Sequence, residues 1–144
     1  MTDSAYTPTR LLTVETATRP ATITRELTVT RDGEPVGYDA EGVAALRNGG
    51  YWPAVEPSLL VRLDAAGRVR EEVPLPGDIR ATITSNGLEG IAVSGDAVWV
   101  AVQRPLKGET TTRIGRYAHG TWSWLAYPLD AAPTGWTGAP GRSF

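Results

Sequence analysis

The chain has 144 residues, of which 41% are hydrophobic and 21% charged, and a net charge of -2. This composition is typical of a globular protein, and the nearly balanced charge gives no general attraction for nucleic acid. The chain has no cysteine, which excludes disulfides, thiolate catalysis and cysteine-based zinc sites. No apolar run approaches the ~20 residues of a membrane-spanning helix. The polar segment Met1–Arg10 lacks the apolar centre of an export signal.

Short runs of β-branched and aromatic residues, separated by glycine and proline, predict an all-β chain. Two outer strands of a first unit are predicted at Leu11–Glu15 and Ile23–Thr30. A second unit of four strands is predicted at Val43–Leu46, Tyr51–Val55, Leu59–Asp64 and Val69–Pro74. A third unit is predicted at Ile91–Val93, Ala97–Val102, Thr112–Tyr117 and Trp122–Tyr127.

The second and third units repeat each other. Asp39-Ala-Glu-Gly-Val-Ala44 is followed by Tyr51-Trp52, and Gly87-Leu-Glu-Gly-Ile-Ala92 is followed by Val98-Trp99. The two glutamates, Glu41 and Glu89, are about 48 residues apart. A period near 50 residues with several short strands in each repeat is typical of a β-propeller blade.

The predicted fold class is therefore all-β, a partial β-propeller of about two and a half four-stranded antiparallel blades. The predicted domain is residues 1–136, followed by an irregular tail at residues 137–144 that is rich in glycine and proline. So few blades do not close a ring of the usual four to eight. We therefore expect missing blades, or a second chain, to complete the propeller.

Carboxylate and amide side chains are predicted to meet at one rim of the blades. Because the loops that enter the inner strands lie on the same rim as the loops between the second and third strands, this rim gathers Asp39, Glu41, Glu56, Asn86, Glu89 and Gln103. Oxygen ligands from neighbouring blades suit a hard cation such as Ca²⁺. Asp39, Glu41, Asn86 and Glu89 are the candidate metal ligands, and Arg104 and Lys107 are candidates for binding an anionic substrate group.

Each of these residues also has a structural interpretation. A glutamate beside an inner strand can accept hydrogen bonds from backbone amides of the next blade, and Arg104 and Lys107 can be solvated loop charges. Gly42 and Gly90 are expected to let strands approach closely. Trp52 and Trp99 are expected to pack between blades.

Several segments together resemble the bacterial phytase-like family, described as having esterase-like activity of phytase. The most specific are Asn86-Gly-Leu-Glu-Gly-Ile-Ala-Val93 and Trp99-Val-Ala-Val-Gln-Arg-Pro105, and the likeness extends from about Leu11 to Trp136. The resemblance implies a β-propeller that is usually exported, with hydrolysis of esters or phosphoesters. Calcium dependence follows by analogy with propeller phytases. Relatives continue beyond Trp136, so the ending at Thr137–Phe144 is what a truncation or frameshift would produce.

The leading hypothesis is a fragment of a metal-assisted hydrolase whose substrate is a small-molecule ester or phosphoester. Its catalytic residues are not identified by the sequence. A non-catalytic propeller scaffold, or an inactive truncated product, is the first alternative. A calcium-dependent lactonase-type propeller is the second, and it requires Asn or Asp ligands from several blades, for which only Asn86 is a candidate.

Overall fold

A computed structural model of the chain describes residues 7–83 and 87–128, and these are almost entirely β-structure. The first four strands are β1 (Arg10–Glu15), β2 (Thr22–Thr28), β3 (Thr30–Arg31) and β4 (Glu34–Pro35). They are followed by β5 (Ala40–Ala45), β6 (Tyr51–Val55), β7 (Leu59–Leu63), β8 (Val69–Pro74) and the short helix α1 (Gly77–Arg80). The last strands are β9 (Leu88–Ser94), β10 (Ala97–Val102), β11 (Thr112–Ala118) and β12 (Thr121–Tyr127).

The strands form two four-stranded antiparallel sheets and two hairpins. The first sheet has the order β5-β6-β7-β8, and the second has the order β9-β10-β11-β12. β1 pairs with β2, and β3 pairs with β4. Each four-stranded sheet is a meander in which consecutive strands are neighbours, as tight glycine-containing turns permit. This confirms an all-β chain with two successive four-stranded units.

The two sheets pack face to face around the larger core. From the first sheet, Trp52, Ala54 and Leu60 are buried in this core, and the second sheet contributes Val98 and Val100. These residues share a face because side chains two positions apart in a strand point the same way. Burial of each large side chain stabilises the fold by about 1.5–3 kcal/mol.

Aromatic rings extend this core along the second sheet. The rings of Trp52 and Tyr117 meet edge to face with their centroids 6.2 Å apart, and Trp122 and Trp124 are stacked at 5.3 Å. Gly115 leaves room for the stack, since a Cβ on it would lie 2.7 Å from the Trp124 ring. The contact between the sheets is therefore a continuous apolar and aromatic layer.

A second core lies between the β1–β2 hairpin and the other face of the first sheet. Leu11, Val29, Val55, Val61 and Leu63 are buried there. The Thr9 amide donates a 3.0 Å hydrogen bond to the Val36 carbonyl, which attaches the first hairpin to the β3–β4 hairpin. The two hairpins therefore cover part of this face of the first sheet.

The inner strands β5 and β9 lie directly against each other. A Cβ on Gly42 would be 2.7 Å from the Glu89 carbonyl oxygen, so the approach of the two strands requires glycine at this position. Gly90 is different, because a Cβ there would make an ordinary 3.5 Å contact with Ala101. The prediction of a close approach is confirmed at Gly42 and is wrong at Gly90, whose neighbours are less crowded.

The strand predictions differ from the structure mainly at the inner strands. β5 begins at Ala40 and β9 at Leu88, each three residues before the predicted start. The β3–β4 hairpin and α1 were not predicted at all. No helix among residues 7–83 and 87–128 is long and apolar enough to cross a membrane. The described sheets do not form a closed ring, so the partial propeller stays a prediction.

Candidate functional site

Four carboxylates lie at the edge of the two sheets where β5 and β9 begin. We call Asp39, Glu41, Glu56 and Glu89 the acidic rim. The Glu56 amide donates a 2.8 Å hydrogen bond to the Asp39 carbonyl, which places the β6–β7 connection beside the start of β5. The rim thus combines an inner strand, a turn of the first sheet and the inner strand of the second sheet.

Glu41 and Glu89 are the extra residues of two equivalent β-bulges. In the first sheet Ala40 pairs with Val55 and Gly42 with Ala54, which leaves Glu41 without a partner on β6. In the second sheet Leu88 pairs with Val102 and Gly90 with Ala101, which leaves Glu89 without a partner on β10. Because a bulge redirects the side chain of its extra residue, the repeat places a glutamate at the same irregularity in both sheets.

Three carboxylates of the rim form a compact group. One oxygen of each of Asp39, Glu41 and Glu56 can be chosen so that all three lie within 4.8 Å of one another. Asp39 and Glu41 are exposed, and Glu56 is half-buried. Oxygens at this separation can bind one cation from three sides, while solvent reaches the remaining side.

The electrostatics of this group favour protonation or a bound cation. Partial loss of water around the Glu41 carboxyl raises its pKa, and the negative charges of Asp39, Glu56 and Glu89 raise it further. Desolvation is also the largest cause that raises the pKa of Glu56. Like charges at short range oppose ionisation, and a cation between them removes that cost.

Glu56 also has a structural contact. Its Oε1 accepts a 3.0 Å hydrogen bond from the Gly87 amide, at the entry to β9. The Gly87 carbonyl in turn accepts a 3.0 Å hydrogen bond from the Gln103 amide. The repeated glutamates were expected to accept such a bond from the next unit, but Glu56 accepts it. Its second carboxylate oxygen stays free to serve as a ligand.

Glu89 has a different partner from Glu41. The Gln103 side-chain amide donates a 2.6 Å hydrogen bond to Glu89 Oε1. Glu89 is not one of the three clustered carboxylates, yet its charge contributes to the raised pKa of both Glu41 and Glu56. It therefore borders the group that Asp39, Glu41 and Glu56 form.

Arg104 and Lys107 are exposed in the connection between β10 and β11. This connection starts at Gln103, beside the acidic rim, and the buried side chain of Leu106 anchors it to the larger core. The Lys107 amide donates to the Thr82 carbonyl at 3.3 Å. Within the described part of the chain neither cation forms an ion pair with a rim carboxylate. Asn86, the remaining candidate ligand, lies outside the described residues.

An open cleft lies at the other ends of β5 and β9, away from the acidic rim. It has a volume of about 810 Å³ and lies between the β5–β6 turn, with Arg47 and Asn48, and the β9–β10 turn, with Ser94 and Asp96. Arg47 and Asp96 bring one charge of each sign, and the cleft has no group of converging carboxylates. Converging carboxylates are a stronger indication of a functional site than the volume of a cleft, so we place the candidate site at the acidic rim.

These observations define a class: an all-β protein of consecutive four-stranded sheets with clustered carboxylates on one rim. Comparison with known proteins then identifies the family. Residues 1–141 match the Phytase-like family, described as "Esterase-like activity of phytase", and the chain belongs to this family. No curated protein and no solved structure matches the chain.

Proposed function

We propose that the chain is part of a β-propeller hydrolase that cleaves phosphoesters or small esters with the assistance of a metal ion. The observation that carries the proposal is the group of Asp39, Glu41 and Glu56, whose oxygens lie within 4.8 Å of one another. The family description supports ester hydrolysis as the reaction class. The stacking of two four-stranded sheets through their inner strands supports the propeller.

The donor set fits Ca²⁺. Asp39, Glu41 and Glu56 supply only hard oxygen ligands, which Ca²⁺ and Mg²⁺ prefer over softer metals. Ca²⁺ takes 6–8 oxygens and tolerates irregular geometry, so three carboxylates leave room for water and substrate. Glu89 and Asn86 remain proposed contributors from the second sheet. The raised pKa values of Glu41 and Glu56 are those of carboxylates that a cation would stabilise.

Each residue has a distinct role in this proposal. When bound, the ion would polarise a phosphoryl or carbonyl oxygen and acidify a water molecule. Gln103 holds the Glu89 carboxylate in a fixed orientation through its 2.6 Å hydrogen bond. Arg104 and Lys107, next to Gln103 in the same connection, bind the anionic group of a phosphoester.

A non-catalytic scaffold is the second candidate. The observation in its favour is the hydrogen bond from the Gly87 amide to Glu56, which gives one rim carboxylate a structural contact. The lactonase-type alternative requires Asn or Asp ligands from several blades, and its one Asn candidate, Asn86, lies outside the described residues. We therefore rank phosphoester or small-ester hydrolysis first.

Hydrolysis of p-nitrophenyl phosphate and p-nitrophenyl acetate, with Ca²⁺ or with a chelator, tests the proposal. We expect Ca²⁺-dependent turnover that falls at least tenfold in Glu41→Gln. The double variant Arg104→Gln plus Lys107→Gln should raise KM for the phosphate and leave KM for the acetate unchanged. Arg68→Gln, an exposed arginine near the opposite edge, is the matched control. A folded chain that hydrolyses neither ester with Ca²⁺ would contradict hydrolysis by this chain and favour the scaffold.

A further inference from the structure

Both asparagines of the chain are followed by glycine. Asn48-Gly49 belongs to the turn between β5 and β6, and Asn86-Gly87 precedes β9. In such a pair the backbone nitrogen of the glycine can attack the carbonyl carbon of the asparagine side chain, because glycine has no side chain that hinders the approach. Asparagine is chemically labile for this reason, and the local structure decides which of the two pairs reacts.

The Asn48-Gly49 pair lies at the exposed tip of the β5–β6 hairpin. The Gly49 amide donates a 3.0 Å hydrogen bond to the Leu46 carbonyl, and the Leu46 amide donates a 2.8 Å hydrogen bond to the Gly50 carbonyl. These bonds close a three-residue loop in which Gly49 has a φ of +85°. Release of the Gly49 nitrogen breaks one hydrogen bond at this exposed tip, which is a local opening of low free energy.

The side chain of Asn48 is held in an orientation that favours the attack. Its Oδ1 accepts a 3.1 Å hydrogen bond from the Gly50 amide, which folds the side chain over the backbone of the turn. The same N–H stabilises the negative charge that Oδ1 acquires when the carbonyl carbon is attacked, as the donors of an oxyanion hole do. Because Asn48 is exposed, its Nδ2 can leave into solvent.

The glycine of the second pair is in a different environment. Gly87 is buried, and its amide donates a 3.0 Å hydrogen bond to Glu56 Oε1. A Cβ on Gly87 would lie 1.5 Å from the Pro57 carbonyl oxygen, so its backbone is packed directly against the β6–β7 turn. The Gly87 nitrogen becomes free only when this contact between the two sheets separates, which requires a larger unfolding than the opening of a hairpin tip.

We propose that Asn48 is a site of covalent modification, at which water converts the asparagine to aspartate and isoaspartate. A bond forms between the Gly49 nitrogen and Asn48 Cγ. The proton of that nitrogen passes through solvent to Nδ2, which leaves as ammonia. Water then opens the cyclic imide: cleavage of the bond from the nitrogen to Cγ gives aspartate, and cleavage of the bond from the nitrogen to the main-chain carbonyl carbon gives isoaspartate. The conversion consumes one water, releases one ammonia and involves no oxidant or reductant.

The two products affect the molecule differently. Both place a new carboxylate in the open cleft that Arg47 and Asp96 also line, and this group is ionised at pH 7. Isoaspartate also adds a methylene group to the backbone of the turn. The turn has little room for it, since a Cβ on Gly50 would lie 2.6 Å from the Leu63 carbonyl oxygen. Isoaspartate therefore distorts the β5–β6 turn, whereas aspartate changes the charge of the cleft.

Incubation of the full chain in mildly alkaline buffer, with and without urea, followed by peptide mass spectrometry tests the proposal. Cleavage after arginine puts Asn48 and Asn86 in separate peptides. In the folded chain, the Asn48 peptide should gain the mass difference between an amide and a carboxyl group at least about tenfold faster than the Asn86 peptide, and it should give two separable isomers. In urea the two rates should become similar, because both pairs are Asn-Gly.

Asn48→Gln is the matched control, since its longer side chain has to close a larger ring, and its peptide should keep its mass over the same time. Asn48→Asp supplies the reference for the aspartate isomer. The proposal would be overturned if the folded chain kept the Asn48 amide after the chain in urea had been fully converted. It would also be overturned if Asn86 reacted as fast as Asn48 in the folded chain, or if Asn48→Gln changed mass as fast as the parent.

Discussion

Trp52 and Trp99 occupy the same position in two copies of one sequence repeat, yet their surroundings differ. Trp52 is buried between the sheets and meets the Tyr117 ring, whereas Trp99 is half-buried under Arg116. The repeat determines which face of the sheet a side chain occupies. The neighbouring sheet determines how much that side chain stabilises the protein.

The repeated glutamates show the same contrast. Both are extra residues of β-bulges, but Glu41 faces Asp39 and Glu56, whereas Glu89 accepts a hydrogen bond from Gln103. One glutamate is in a group of like charges and the other has a neutral donor. Equivalent positions therefore differ in chemistry, and substitutions at paired positions measure the difference.

The largest difference is expected between Trp52→Ala and Trp99→Ala. Loss of the buried Trp52 ring leaves a cavity between the sheets and should lower the free energy of unfolding by about 3–5 kcal/mol. Loss of the half-buried Trp99 ring should lower it by about 1 kcal/mol or less. Urea unfolding at low micromolar protein measures both. Equal losses of unfolding free energy would mean that the Trp52 face of the first sheet and the Trp99 face of the second sheet are equally covered.

Gly42→Ala and Gly90→Ala test the approach of the inner strands. A methyl group on Gly42 would meet the Glu89 carbonyl at 2.7 Å, so the strands must move apart, at a cost of about 1–3 kcal/mol. The same methyl on Gly90 has room, and the stability should change by less than about 0.5 kcal/mol. Thermal melts of the two variants measure the difference. An unchanged melting temperature for Gly42→Ala would refute the close packing of β5 against β9.

Tyr117→Phe and Tyr127→Phe compare a hydroxyl between the sheets with one on the surface. The Tyr117 hydroxyl donates a 3.2 Å hydrogen bond to Glu71 of the first sheet, and Tyr127 is 51% exposed. Removal of the first hydroxyl should cost about 0.5–1 kcal/mol, and removal of the second should cost nothing measurable. Chemical denaturation resolves the two, and an equal effect would show that the Glu71 contact adds no stability.

The smallest effect concerns the pH dependence of the acidic rim. Because the folded state raises the pKa of Glu41, this group favours folding at low pH and loses that contribution as the pH rises through its raised pKa. Without metal, Glu41→Gln should therefore melt about 1–2 °C higher than the parent at pH 7, since water screens these exposed charges. The difference should vanish below the ordinary glutamate pKa of 4.5. A lower melting temperature at pH 7 would contradict the repulsion.

Several strands other than the inner strands β5 and β9 were predictable from the sequence. The predicted strands Tyr51–Val55, Val69–Pro74 and Ala97–Val102 have the bounds found in the structure. Each is a run of β-branched, aromatic or alternating residues that ends at a turn, so its own residues specify it.

The inner strands β5 and β9, and the place of Glu56 in the carboxylate cluster, were harder to predict. Ala40-Glu-Gly has poor intrinsic strand preference, and it is extended because β6 and β9 lie beside it. A bulge leaves no distinct mark in a single sequence. Asp39, Glu41, Asn86 and Glu89 were the candidate metal ligands, and Glu56 was placed on the same rim but not among the ligands. Glu56 joins the cluster of carboxylates because its turn folds back onto Asp39. That contact depends on the sheet register, which the sequence does not show.

Isothermal titration of Ca²⁺ into the parent chain, Glu41→Gln and Glu89→Gln at pH 7 tests whether the acidic rim binds a metal ion. We expect the parent to bind Ca²⁺, Glu41→Gln to lose the heat of binding, and Glu89→Gln to retain it with weaker affinity. If the parent gave no heat of binding, or if Glu41→Gln bound Ca²⁺ as tightly as the parent, Asp39, Glu41 and Glu56 would not be a metal site.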